Sequence, residues 1–404
     1  MYKLLLFISI LTFSFEISGQ RFYTTNGKEI IDPQGVPILL KGINLGNWLV
    51  PEGYMFKFNE ASSARLINDL ITELSGSEFT KNFWNQYLGN YITSKDISFI
   101  KSLGMNSIRV PFHYKLFTDE DYLGYDRGIG FSLIDSLIHW CRKEKLYIIL
   151  DMHSAPCGQT GQNIDDSHGY PWLFEDDACV MKTAQIWKEI ARRYKNEPIV
   201  IGYDLLNEPI PQYYDTARLN SKLEPVYRAI VSAIREVDIN HIIFLGGSQW
   251  NTNFKHLGRP FDPKLVYTFH RYWSDTTVSV IQDIIDFRNK YNVPIWLGES
   301  GENTNEWINS FRTMLDNNNI GWCFWPYKKM DNTRCIVSFP QPNFYDEIIA
   351  YEKEPNIGFE KMFLKLPPKD HVQSTLLDFC KLSNFKNCTP NKGYIQALGI
   401  NKVY

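Results

Sequence analysis

Ile199-Val200-Ile201-Gly202-Tyr203-Asp204-Leu205-Leu206-Asn207-Glu208-Pro209 is the stretch that decides the fold. It opens as an apolar run of the kind buried on both faces of a parallel sheet. It closes on an amide, a carboxylate and a proline, which has no N–H to give and stops the ladder. The reading is a strand over 199–208 that carries two polar groups to the mouth of an apolar core. Val293-Pro294-Ile295-Trp296-Leu297-Gly298-Glu299-Ser300-Gly301 repeats the plan, a buried strand over 294–299 ending in a second glutamate. Two carboxylates at the ends of two buried strands are the equipment of a two-acid hydrolase.

Working outward, six more short apolar runs share this character, over 38–44, 105–112, 147–153, 241–247, 265–272 and 320–327. Amphipathic stretches separate them, over 94–103, 131–144, 178–194, 219–237, 278–291 and 305–317. The second is the clearest, with Leu133, Ile134, Leu137, Ile138 and Cys141 at helical spacing. Eight strand–helix alternations with near-continuous apolar strands predict an α/β fold, a single (β/α)8 TIM barrel. An open doubly wound sheet is disfavoured, because no glycine-rich phosphate loop follows the first strand. Asn26-Gly27 between strand-like flanks predicts an N-terminal β-hairpin. Residues 355–404 lack a ninth unit and read as a C-terminal helical extension, with helices over 358–364 and 372–379. The division is a signal peptide over 1–19 and one catalytic domain over 20–404.

A net charge of −3 on 404 residues gives no ground for nucleic acid or an anionic membrane as partner. Aromatic content is 15%, enough to fill a large core and also suited to stacking on sugar rings. Lys3 and the apolar run 4–15, with Gly19 before Gln20, read as an export signal too short to span a bilayer. The expected location is therefore secreted or periplasmic, without stable membrane insertion. The seven cysteines match no zinc spacing. Cys141 and Cys323 sit in apolar stretches and read as buried thiols, while Cys380 and Cys388 flank a short loop and could form a local disulfide. Asp165 and Asp166 are adjacent loop acids expected to face solvent, and no metal is predicted. Nothing in the sequence indicates the oligomeric state.

Active sites of such barrels lie at the C-terminal strand ends. Those ends carry Asn44, Arg109 with His113, Asp151 with His153, Asn207 with Glu208, Gln249-Trp250-Asn251, His270 with Tyr272, Glu299, and Trp325 with Tyr327. The pattern resembles glycoside hydrolase family 5. The resemblance rests on Asn207-Glu208-Pro209, Gly298-Glu299-Ser300, Arg109, His153, His270 with Tyr272, and Trp325, in order and on matching strands. It implies Glu208 as general acid/base and Glu299 as nucleophile, with retention of configuration and no cofactor. It further implies that Arg109 orients Glu299 and that Asn207 meets the sugar 2-hydroxyl. His153 and His270 would donate to hydroxyls or carboxylates, Tyr272 to Glu299, and Trp325 would stack beneath the sugar.

The stretch 41–50 and the loop 154–163 look most like members that attack β-1,3-glucans from a chain end, with Glu52 gripping the terminal glucose. The expected partner is an oligo- or polysaccharide. The expected function is a secreted retaining β-glycosidase acting on a β-linked glucan or a glucose-terminated glycoside; alternatives are an endo-acting β-1,4-glucanase or mannanase, and a silent glycan-binding barrel. A metal-dependent hydrolase would need a cluster of His and Asp ligands.

Overall fold

The computed structural model describes residues 22–124, 128–354 and 366–400. The export signal read over 1–19 and the helix expected over 358–364 lie outside them. Eight parallel strands close on themselves in chain order: β1 Lys41–Asn44, β2 Ser107–His113, β3 Tyr147–Ser154, β4 Val200–Asp204, β5 Ile242–Gly246, β6 Leu265–His270, β7 Ile295–Glu299 and β8 Gly321–Phe324. β8 pairs back onto β1 through Cys323↔Gly42. The strands are buried nearly throughout, which is why their sequences read as apolar runs rather than as alternation.

The barrel interior is layered. At the N-terminal end it is apolar, with Ile149, Ile201, Ile242, Phe244, Val266, Trp296 and Cys323 in one cluster. Tyr23 and Ile30 complete that cluster from outside the barrel. They come from the N-terminal segment that forms an antiparallel sheet of Thr24–Asn26, Glu29–Ile31 and Pro37–Ile38, which plugs the bottom. The expected hairpin is thus a three-stranded sheet, turning at Gly27-Lys28 with Asn26 opposite Glu29. Full burial of each large apolar side chain is worth about 1.5–3 kcal/mol. Higher up, the interior turns polar with Asn44, Arg109, Asp151, Asp204 and His270, all buried. The core therefore ends where the chemistry-bearing residues begin.

Helices cover the outside by their apolar stripes. Gly130–Glu144 buries Ile134, Leu137, Ile138 and Cys141, as the spacing predicts. In the C-terminal extension, Lys369–Leu382 stacks Phe379 on Phe56 with ring centroids 4.9 Å apart. The buried Lys328 ties this extension to the barrel. Its ammonium bonds Asp96 at 2.7 Å and the carbonyls of Tyr91 at 2.6 Å and Ser383 at 2.7 Å.

Two sequence readings are corrected. β4 stops at Asp204, short of the expected Glu208, because Glu208 adopts φ 47°, which no extended strand contains. Cys380 and Cys388 are free thiols. Their sulfurs face different groups: Cys380 faces the Phe83 carbonyl, and Cys388 those of Leu382, Ser383 and Asn384. The disulfide joins Cys157 to Cys179 instead, across 22 residues. Cys141 and Cys323 are buried thiols as read. Among the described residues, no helix is long and apolar enough to cross a membrane.

Candidate active site

The strand ends surround a cleft of about 660 Å³ at the C-terminal mouth of the barrel. Its walls include Glu52, Tyr54, His153, Glu208, Trp250, His270, Tyr272, Trp273, Glu299, Glu302 and Trp325. Of the sequence-predicted site residues, only Arg109 and Asn207 are absent from the lining, and both lie directly beneath it, fully buried.

Arg109 organises that floor. Its Nε donates to Asp204 at 2.8 Å, and its Nη2 reaches Asp151 and Asn207 at 3.0 Å each. Its Nη1 donates to Asn44 at 3.2 Å and to Oε1 of Glu299. One guanidinium thus serves three carboxylates, and a fork of donors is the group that can do so. Burial pushes the Asp151 and Asp204 carboxyls up to about 7, against the pull of Arg109. Asp151 also takes Nδ1 of His153 at 2.8 Å.

Glu299 reaches the cleft through an irregularity. The β6–β7 register slips between Leu297 and Glu299, so that Glu299 stands opposite His270. Such a bulge re-aims a side chain. Gly298 makes it feasible, since a Cβ there would come within 2.3 Å of Thr268 Oγ1. Oε2 of Glu299 accepts from the Tyr272 hydroxyl at 3.1 Å. Burial raises the Glu299 carboxyl, while Arg109 and then His153 pull it down.

Glu208 sits on the loop after β4. The loop after β3 holds this segment: Gln159 Nε2 donates to the carbonyls of His153 at 2.7 Å and Asn207 at 2.9 Å. The Cys157–Cys179 disulfide and Asp165 fix that loop in turn. Asp165 is buried, not solvent-facing, and accepts from the backbone N–H of Thr160, Gly161 and Ser167. Asp166 is likewise turned inward, accepting from the Ser63 hydroxyl at 2.6 Å. Glu208 Oε1 lies 2.8 Å from Nδ1 of His270, and Glu299 Oε2 lies 3.6 Å from the same nitrogen. One oxygen of each glutamate lies within 4.8 Å of the other. Burial, and next the charge of Glu299, raise the Glu208 carboxyl well above the ordinary range. Two like charges this close do not both ionise readily, which sets the two acids apart in proton affinity.

The remaining walls are aromatic and hydroxyl-binding. Trp325 lies parallel to His153, centroids 5.6 Å apart and 9° between planes. Its indole N–H donates to the Tyr54 hydroxyl at 2.6 Å. Glu52 is buried at the cleft edge, and its Oε1 has no hydrogen-bond partner among the described residues. Burial, then the charge of Glu299, push its carboxyl up to about 8. Asn207 has its amide engaged by Arg109 and, at 3.3 Å, by His153 Nε2.

Sequence reasoning assigns no role to Asp151, Asp204, Asn44 or Tyr54. The first three stand out only as strand-end or motif residues, and their inward parity with Arg109 is the available signal. Two donor sets lie close enough to share one ion, Asp151 with His153 and Glu299, and Glu208 with His270 and Glu299. Both include Glu299, whose Oε1 Arg109 already holds, so a cation there would face a buried guanidinium.

Comparison with known proteins identifies the family. Residues 70–331 match the family described as Cellulase (glycosyl hydrolase family 5). The chain belongs to glycosyl hydrolase family 5. It is 30% identical to a β-xylosidase of Phanerodontia chrysosporium, over 59% of this chain and 48% of that protein. It is 28% identical to endoglucanase C of Acetivibrio thermocellus, over 62% and 88% respectively. It is also 28% identical to a probable glucan 1,3-beta-glucosidase A of Aspergillus fumigatus, over 51% and 49%. The chain thus spans about half the length of the first and third of these relatives. The crystal structure of AoRut shares the fold, with a TM-score of 0.60 at 19% identity, over 74% of this chain and 91% of that one.

Proposed function

We propose that this protein is a retaining β-glycosidase that removes sugar from an end of a β-glucan chain. The observation that carries the mechanism is the closeness of the Glu208 and Glu299 carboxyl oxygens, within 4.8 Å. An inverting pair stands roughly 6.5–9.5 Å apart to seat a water, and a retaining pair about 5–5.5 Å.

In the first step an oxygen of Glu299 bonds the anomeric carbon as the bond to the leaving oxygen breaks. Glu208 gives its proton to that oxygen. In the second, Glu208, now ionised, takes a proton from a water whose oxygen displaces Glu299 from the same carbon. Two inversions restore the starting configuration. The raised Glu208 carboxyl suits the acid, which must hold a proton near neutrality. Arg109 and Tyr272 favour the ionised form of Glu299, as a nucleophile requires. Trp325 and His153 form the floor on which the sugar rests. His270 faces both carboxyls from beneath, and Asn207 would meet the sugar 2-hydroxyl.

Action at a chain end rests on the wall beside Trp325. Lys329 Nζ bonds both oxygens of Glu302 at 2.9 Å and lies 4.8 Å from the Tyr54 ring centroid. In this reading Glu52, Tyr54 and Glu302, which line the cleft there, would meet the terminal hydroxyls, with Lys329 holding Glu302 from behind. A β-glucan is favoured by relatives named as a glucan 1,3-beta-glucosidase and an endoglucanase. The endoglucanase, matched over most of its length, favours a second reading, endo action on a β-1,4-glucan or mannan by the same two glutamates.

The export reading of residues 1–19 and the Cys157–Cys179 disulfide support an extracytoplasmic location. N-terminal sequencing of the secreted chain tests it.

The deciding experiment is hydrolysis across β-1,3-, β-1,4- and β-1,6-glucans, mannan and aryl β-glucosides, with Glu208→Gln and Glu299→Gln alongside. A single sugar released from the outset supports end action, and a ladder of oligomers supports the endo reading. Sugar binding without bond cleavage would replace both with a silent glycan-binding barrel. Loss of hydrolysis on chelation would replace them with a metal-dependent enzyme.

A further inference from the structure

Three consecutive residues after β5, Gln249, Trp250 and Asn251, are left-handed, with φ 49°, 61° and 57°. None is glycine. Left-handed backbone is disfavoured for a residue that bears a side chain. A run of three persists only where its surroundings hold it. Here they do. Gln249 donates through its backbone N–H and its Nε2 to the Ile210 carbonyl, at 2.9 and 3.1 Å. Its Oε1 accepts from Asn253 at 2.7 Å and from Ser248 at 2.9 Å. Ser248 and Asn253 exchange two backbone hydrogen bonds, closing the turn at its base.

The turn delivers Asn251, fully buried, to the back of His270. Its Nδ2 lies 3.2 Å from His270 Nε2. Space for it exists because Gly246 has no side chain, since a Cβ there would fall 2.2 Å from Asn251 Oδ1. Asn251 Oδ1 has no partner among the described residues, so His270 is the polar group this amide answers.

We propose that Asn251 is a positioning residue that fixes His270 as the Nδ1–H tautomer. This deepens the glycosidase reading and rests on it for the consequence, though not for the tautomer itself. An imidazole held neutral has one proton for two nitrogens, and the bond at one nitrogen sets the state of the other. Burial, with Arg109 and His153 nearby, keeps the ring neutral. The facing charged or titratable groups are Glu208, Glu299, Arg109 and His153.

With the amide N–H given to Nε2, the ring proton sits on Nδ1, aimed at Glu208 Oε1 and toward Glu299. Glu208 then accepts at Oε1 and keeps its own proton on Oε2, free for the leaving oxygen. In the other tautomer Nδ1 would be an acceptor and would draw the acid proton out of the cleft.

The test uses the full-length protein with ¹⁵N-labelled histidine and compares wild type with Asn251→Asp and Asn251→Gly. Both replacements tolerate positive φ, so neither breaks the turn. Long-range ¹H–¹⁵N correlation reads the tautomer, with His270 assigned by the signal missing from His270→Gln. Wild type shows the proton on Nδ1. In Asn251→Asp the new carboxylate would accept rather than donate, moving the ring proton to Nε2. In that variant kcat/KM toward substrates with poor leaving groups falls on the order of a hundredfold, the low end of what a general acid contributes. Activated aryl glycosides are affected less. Asn251→Gly falls between, with both tautomers present. A proton on Nε2 in wild type, or on Nδ1 in Asn251→Asp, overturns the proposal. An inactive wild type with the expected tautomers would sink the glycosidase reading and leave the Asn251–His270 assignment standing.

Discussion

The Tyr272 hydroxyl donates to Oε2 of Glu299 at 3.1 Å, while the opposite oxygen of that carboxylate is held by Arg109. Glu299 is thus gripped at both oxygens by groups that favour its ionised form, inside a buried site that opposes ionisation. Removing one donor shifts that balance. Tyr272→Phe loses a hydrogen bond to a charged group, worth about 1.5–3 kcal/mol, so kcat falls roughly tenfold to a hundredfold. The Glu299 pKa rises further, because the neutral form loses less than the anion. The acid limb of kcat/KM therefore moves to higher pH, and steady-state kinetics across pH measure both effects.

The alkaline limb belongs to Glu208 in the proposed mechanism. Its folded pKa is raised by burial and by Glu299, so the protonated acid persists to higher pH than a free glutamate allows. Activity falls as pH rises through that value. Glu208→Gln removes the limb, which is seen most cleanly with an aryl glycoside whose leaving group needs little protonation. Glu52→Gln keeps an alkaline limb, displaced at most to lower pH, and raises KM, because in the proposed mechanism Glu52 would grip hydroxyls and not the breaking bond.

Arg109 predicts a stability effect independent of activity. Arg109→Met would strand Asp151, Asp204 and Glu299 without their shared cation. Removing one partner of a buried ion pair costs about 3–5 kcal/mol. The sign of the pH dependence follows from the raised aspartates. Their ordinary value is 3.8 and their folded value about 7, so between those pH values the folded protein holds protons that the unfolded chain has lost. The stability they contribute is therefore greatest at the acid end of that window, falls as pH rises through it, and is level above it. Urea unfolding across the window should show this slope, and Asp151→Asn should flatten it.

How much of this is open to sequence reasoning follows from where each signal lies. The eight strands are legible because burial on both faces leaves uninterrupted apolar runs, and Glu208 and Glu299 because each stands where such a run meets polar residues. Asp151 and Asp204 carry no such mark. They lie just upstream of the more conspicuous His153 and Asn207-Glu208, and only barrel closure brings both to Arg109. Asn251 is hidden further, since its role depends on a left-handed turn that Gln249-Trp250-Asn251 does not announce without glycine. The disulfide escapes the sequence because short spacing points to Cys380 and Cys388, whereas the fold brings the loop after β3 back onto Asp177–Tyr194.

That disulfide yields its own expectation. It clamps the loop whose Gln159 holds the backbone of Asn207, next to Glu208. Peptide mapping without reduction should recover Cys157 linked to Cys179. Cys157→Ala with Cys179→Ala should lower unfolding stability by about 3 kcal/mol, the loop-closure value for a ring of this size. The same pair should lower kcat and also raise KM, because Gln159 of that loop supports both Asn207, beside the proposed acid, and His153 beneath the sugar.

The stereochemistry of the first product tests the central claim most directly. Proton NMR during hydrolysis of an aryl β-glucoside or a β-1,3-glucan oligomer reports the anomer formed before mutarotation mixes it. Close Glu208 and Glu299 carboxyls predict the β-anomer first, with the α-anomer growing in later. An α-anomer from the outset would mean direct attack by water, and would contradict Glu299 as the nucleophile.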